Sequence, residues 1–155
     1  MEKLKTKARE LLRRFKGDAY AFGLDAITEA GRVAARTGRE FLLVRGRSCE
    51  ANGMLDGLKQ AFAEAGLAII AECPGAAANS PIEDVERVRD AILDAQPEAL
   101  VGLGGGSLID ALKGSITLAS LGGTSADYFG VGKVTAKLEA TGTELLPLLA
   151  VQTAS

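Results

Sequence analysis

The segment Ala99-Leu100-Val101-Gly102-Leu103-Gly104-Gly105-Gly106-Ser107-Leu108-Ile109-Asp110-Ala111-Leu112-Lys113 carries more structural information than any other in this chain. An apolar run of strand length feeds three consecutive glycines, then a serine, then apolar positions at helical spacing. Glycines lack Cβ and let backbone amides approach a ligand closely. A helix starting there aims its unpaired N–H groups and the positive end of its dipole at the same point. The pattern predicts a phosphate seat made of backbone. It is neither the G-x-G-x-x-G fingerprint, since Ser107 stands where the last glycine should fall, nor a Walker loop, since no G-K-[ST] follows. The alternative is a tight strand-to-helix turn capped by Ser107, with Asp110 closing an S-x-x-D box; a capping Ser107 can still touch an anion. Asp110 and Lys113 read equally as a surface ion pair and as a carboxylate turned toward a ribose or nicotinamide.

Around this segment, short apolar runs alternate with helical patterns, which predicts an α/β domain with a mainly parallel sheet flanked by helices. Strands are expected at Phe41–Val44, Leu67–Ala71, Ala99–Leu103 and Leu148–Val151, with a weaker one near Ala19–Phe22. Helices are expected over Leu24–Thr37, around Leu55, Leu58 and Phe62, and over Ser107–Ser120. Ser80-Pro81-Ile82-Glu83 reads as a capping box opening another, whose face is Ile82, Val85, Val88 and Ile92. The Gly- and Thr-rich stretch 122–146 reads as a loop with short turns. In such a fold the strand carboxyl ends share one edge, where ligands bind. Gly104–Ser107 and Ser48 should meet there.

At 155 residues the chain fits one domain, and 47% hydrophobic content with a mean hydropathy of +0.14 suits a globular protein. A net charge of −2 with 5% aromatic residues argues against nucleic-acid binding. The basic cluster Lys3, Lys5, Lys7, Arg9, Arg13, Arg14 and Lys16 reads as a solvated helix face, with Leu4, Ala8, Leu11, Leu12 and Phe15 as its packed side. Cys49 and Cys73 form no C-x-x-C pair, so free thiols in a reducing, cytoplasmic compartment are expected. No signal peptide or long apolar span is seen, so no membrane partner is expected. The sequence contains no histidine. That removes a histidine base, a Ser-His-Asp or Cys-His arrangement and any histidine-ligated metal within this chain.

Gly104-Gly105-Gly106-Ser107-x-x-Asp110-x-x-Lys113 resembles the GGGSxxDxAK motif of the iron-containing (group III) alcohol dehydrogenases, with Leu112 where that family has Ala. Tyr20-Ala21-Phe22-Gly23, Asn79–Val85, Asp127-Tyr128-Phe129-Gly130 and Pro147–Ser155 resemble further family segments in the same order. The last resembles the run into a TTxGTGSE loop, with Gln152 where proline is common. The resemblance covers nearly the whole chain. It implies a Rossmann-like domain of the dehydroquinate synthase-like/iron alcohol dehydrogenase fold, residues 1–155 being the NAD(P)-binding domain, truncated before a helical domain with metal ligands.

The resemblance further implies reversible hydride transfer between a small alcohol and its aldehyde or ketone, with Fe²⁺ or Zn²⁺ expected only in a full-length member. The chain alone is expected to be inactive, with no catalytic residue or metal ligand in it. Gly104, Gly105, Gly106 and Ser107 are implied at a pyrophosphate, Asp110 toward the nicotinamide, and Thr153 in the stub of a second loop. NAD-preferring members carry an acidic residue after the first of these strands; here Arg45-Gly46-Arg47-Ser48 stands there. Gly46, Arg47 and Ser48 are thus candidate contacts to a ribose 2′-phosphate, with NADP favoured over NAD. A homodimer is a further expectation. The rival readings are a glycerol (or glycerol-phosphate) dehydrogenase or dehydroquinate synthase-like enzyme, and a non-catalytic nucleotide-binding or assembly module.

Overall fold

The computed structural model of the chain describes residues 2–23, 26–49 and 53–153. Four strands, β1 (Glu40–Arg45), β2 (Ala68–Pro74), β3 (Ala99–Gly104) and β4 (Leu148–Gln152), form a sheet in the order β2-β1-β3-β4. Every pairing is parallel: β1 lies beside β2 and β3, and β3 beside β4. Parallel strands need crossovers, and helices supply them. The helices are α1 (Glu2–Lys16), α2 (Ala30–Ala34), α3 (Met54–Glu64), α4 (Ile82–Ala95), α5 (Gly106–Leu121) and α6 (Lys133–Thr141).

Side-chain alternation divides the core into two layers. Phe41, Leu43, Val101 and Leu103 pack with Ala30, Ala34, Leu58 and Phe62 of α2 and α3. Phe41 and Phe62 meet edge to face, with ring centroids 5.0 Å apart. Leu42, Val44, Cys73 and Leu100 pack with Val88, Ile92, Leu108, Leu112 and Ile116 of α4 and α5. Strands buried on both faces need continuous apolar runs, and all six residues of β3 are buried.

Several expectations are corrected. The stretch Ala19–Phe22 is a short helical turn (Gly17–Ala19) followed by coil; Tyr20 is extended but no described strand pairs with it. The Leu24–Thr37 helix shrinks to a 3-10 turn, Ala26–Glu29, and α2; Leu24 and Asp25 lie outside the described residues. The stretch 122–146 holds α6, which buries none of its residues and so has no apolar stripe to betray it. The expected packed side of α1 is open: Leu4 is 73%, Leu11 58% and Phe15 82% exposed. Both faces of the sheet are already covered by other helices, which leaves no sheet surface for α1. The capping box is absent too. Pro81 occupies the N-cap of α4 without a side-chain bond, and Ser80 is drawn elsewhere.

Candidate functional site

In the order β2-β1-β3-β4 the chain leaves β1 in one direction to reach β2 and lies on the other side for β3. The carboxyl ends of β1 and β3 therefore flank the point where the winding reverses, where open α/β sheets form a ligand crevice. Gly46 follows β1 and Gly104 ends β3. The Gly46 amide donates to Leu103 O at 2.8 Å, and the Cys49 thiol donates to the same carbonyl at 3.2 Å. Those two bonds fold the turn Arg47–Cys49 down over the reversal point.

β3 passes into α5 through Gly105, the N-cap, whose carbonyl accepts from Ile109 at 3.2 Å. The amides of Gly105, Gly106, Ser107 and Leu108 find no acceptor among the described residues. These are the four orphan donors of a helix start, and they lie at its positive end. A Cβ on Gly106 would meet nothing within 4 Å, so the space beside this first helical residue is open. Gly104 is small for a different reason: a Cβ there would come within 2.8 Å of the Leu108 side chain. One glycine admits a ligand, and the other lets α5 close on the sheet.

Ser107 does not cap α5, contrary to the capped-turn reading. It lies inside the helix, where its hydroxyl accepts from the Asn79 amide at 3.3 Å and its carbonyl accepts from the Ser80 hydroxyl at 2.6 Å. Asn79 and Ser80, both in the left-handed region with φ of 65° and 49°, thus bring the loop after β2 against the helix start. In the sequence Ser80 reads as a cap of the next helix, and Asn79 enters only with the Asn79–Val85 family segment. Thr153 comes in from the other side, its amide donating to Gly104 O at 3.1 Å. Gly46, Gly104, Gly105, Gly106, Ser107 and Thr153 therefore share one edge.

Arg47 is exposed in the turn after β1, and the side chain of Ser48 lies outside the described residues. Asp110 is exposed one turn into α5, with Lys113 Nζ 3.0 Å from its carboxylate; such a pair contributes little to stability. Glu72 of β2 lies 3.4 Å from Arg45 Nε and also pairs with Lys59 of α3. The Lys59 hydrogen bond, with a smaller contribution from Arg45, holds the Glu72 carboxyl below its ordinary range. Asp84 is also held low, first by the Ala77 amide and then by Arg87. Arg87 in turn donates to Pro74 O at 2.6 Å and to Gly75 O at 3.2 Å, pinning the end of β2.

The sequence model of one family, the iron-containing alcohol dehydrogenases, matches residues 18–155. The chain belongs to that family. No curated protein matches it. Among solved structures, it is similar to an NADH-dependent butanol dehydrogenase A from Thermotoga maritima, at 25% identity and a TM-score of 0.73 over 87% of this chain and 32% of that one. It is also similar to a 1,3-propanediol oxidoreductase, at 27% identity and a TM-score of 0.72 over 84% of this chain and 32% of that one. A sulfoacetaldehyde reductase from Bifidobacterium kashiwanohense, solved with NAD⁺, shares the fold at 21% identity and a TM-score of 0.65, over 84% of this chain and 32% of that one. The chain spans about a third of the length of these structures.

Membership in an iron-containing family raises the question of a metal. Among the described residues no three His, Cys, Asp or Glu side chains come together, and the sequence has no histidine. The residues present do not fit an iron site. Both cysteines are free and buried. Among the described residues no helix is long and apolar enough to cross a membrane.

Proposed function

We propose that this chain is the NAD(P)-binding part of a metal-dependent alcohol dehydrogenase, acting in the cytoplasm on a small alcohol or its carbonyl counterpart. The observation that carries the reading is the set of four unbonded amides, Gly105 to Leu108, at the winding reversal of the sheet, with open space beside Gly106. Donors already aimed at one point need no rearrangement to receive a diphosphate. Gly46 and Thr153 flank the seat, and Ser107 is fixed by the Asn79–Ser80 loop. Asp110 lies farther along α5 on the nicotinamide side. A nicotinamide dinucleotide, when bound, supplies the carbon that accepts or releases hydride. What the chain itself supplies is positive potential, orientation and a surface for the adenosine half.

Arg47 and Ser48 favour NADP over NAD in this reading, because an exposed guanidinium with a neighbouring hydroxyl suits a phosphate dianion. The NADH dependence of the butanol dehydrogenase supports the dinucleotide class and leaves that choice to experiment. Titrating the purified chain with NADH and NADPH by fluorescence tests both levels. NADPH should bind more tightly, and Arg47→Gln should weaken NADPH more than NADH. Tighter binding of NADH overturns the preference, and binding of neither overturns the site. With no histidine and no metal-ligand cluster among the described residues, the chain alone should give no turnover of simple alcohols with added Fe²⁺ or Zn²⁺. Metal-dependent turnover by this chain would refute that.

A further inference from the structure

Helix α1 stands apart from the rest of the domain. It precedes residue 18, where the family match begins, and both faces of the sheet are covered without it. On a helix of 3.6 residues per turn, Leu11, Leu4, Phe15, Ala8 and Leu12 fall in that order around an arc of about 100°. All but Leu12 are exposed. Lys5 and Lys16 border the arc on one side, and Lys7, Arg14 and Lys3 on the other. Glu10 falls on the far face, as does Arg13, which pairs with Asp18 at 3.4 Å. Beyond the end of the helix Tyr20 and Phe22 add two exposed rings, their centroids 6.5 Å apart. Lys16 Nζ lies 5.6 Å from the Phe15 ring and 5.9 Å from that of Tyr20. Charge is concentrated in the same place. α1 holds seven of the 18 Lys and Arg but two of the 20 Asp and Glu, so the helix is basic and the rest of the chain acidic.

We propose that α1 is an interfacial helix, which docks the chain on a bilayer surface containing anionic phospholipid. Its 15 residues are too short and too charged to cross a hydrocarbon core about 30 Å thick. Lying flat, the helix sinks its apolar arc to the acyl boundary while the bordering lysines reach the headgroup phosphates. Exposed aromatic rings beside Lys16 suit the headgroup level. A second copy fits this face poorly, because two such stripes laid together bring their bordering cations against each other. The acidic remainder of the chain is repelled by the same surface, which confines contact to the α1 face. The expectation of no membrane partner rested on the lack of a signal peptide or spanning segment, and neither bears on a helix lying in the interface. The proposal is independent of the cofactor reading.

The test is flotation of the purified chain with vesicles of phosphatidylcholine alone and of phosphatidylcholine with about 30% phosphatidylglycerol, at about 50 mM and about 500 mM NaCl. The chain should float with the anionic vesicles and stay behind with the neutral ones, and high salt should lower its partition coefficient at least about ten-fold. Each cation near the surface is worth about five-fold, so Lys5→Gln/Lys7→Gln should lower it about twenty-five-fold. Leu11→Gln and Phe15→Gln should each lower it about ten-fold. Glutamine is a good helix former and all four positions are exposed, so the fold should be kept, as circular dichroism checks. Equal binding to neutral vesicles, binding to neither, or binding that survives Leu11→Gln/Phe15→Gln overturns the proposal. A vesicle-free dimer in sedimentation velocity that Phe15→Gln turns into monomer also overturns it, and assigns the stripe to a second copy.

Discussion

Replacing Gly106 by alanine separates the stability of the glycine turn from its use. Gly106 opens α5, its φ is not in the left-handed region, and a Cβ there meets nothing within 4 Å. Alanine is the better helix former, and in the first turn the exchange should stabilise the fold by about 0.5 kcal/mol, or roughly 1–2 °C in Tm for a domain of this size. Binding should move the other way. The added methyl stands on the first helical residue, between the amides of Gly105 and Ser107 in sequence, and should keep a diphosphate from one or two of the four donors. Each charge-assisted bond lost costs about 1.5–3 kcal/mol, which puts the rise in Kd for NADPH between about ten-fold and a few hundred-fold. Gly104→Ala is the contrast, because its methyl would press on Leu108 at 2.8 Å and should lower Tm. A thermal melt without ligand and a fluorescence titration give the two readouts. If Gly106→Ala melts higher and binds NADPH as tightly as wild type, these amides are not the seat.

Three further outcomes are expected. Leu112→Ala empties a site 1% exposed between β3 and α4 and should cost about 2–5 kcal/mol in urea unfolding. Ser80→Ala removes the hydroxyl bond to Ser107 O and should cost about 0.5–1.5 kcal/mol while loosening the loop that holds Ser107, read as faster amide exchange at Asn79 and Ser80. Asp84 titrates below the ordinary carboxylate range when folded, so its stabilising effect is full above the unfolded value and is lost as pH falls through the folded one. Asp84→Asn should therefore lose stability at neutral pH and flatten the acid limb of stability against pH in urea titrations; an unaltered limb refutes the assignment.

The strands and the glycine turn were legible because their signals are local. Phe41–Val44, Ala99–Leu103 and Leu148–Val151 each lie within a residue of the observed bounds; for β1 and β3 the reason is that a strand buried on both faces must be an unbroken apolar run. The errors share a physical cause. Ser80 has the right spacing to cap α4, yet its hydroxyl bonds to a carbonyl 27 residues away, a choice only tertiary structure can make. Glu72 lies 27 residues from Arg45 and reaches it only because β1 and β2 pair, so no inspection of the Arg45–Ser48 stretch could have found the carboxylate. The apolar stripe of α1 was correctly periodic, but periodicity identifies a face without supplying the surface that covers it. The rule for strand ends placed Gly104–Ser107 and the turn after β1 on one edge, while Thr153 was added by the family resemblance.

The two margins of the sheet also differ in a way that bears on handling the protein. β2, at one margin, carries Glu72 and Pro74, and its register slips opposite Phe41 and Leu42, all of which discourage a foreign strand from adding on. β4, at the other, reads Leu148-Leu149-Ala150-Val151-Gln152, without a charge or a proline, and among the described strands it pairs only with β3. Self-association of the isolated chain should therefore begin along β4. A lysine at the exposed Ala150 is the economical remedy, keeping concentrated samples monodisperse without touching the glycine turn.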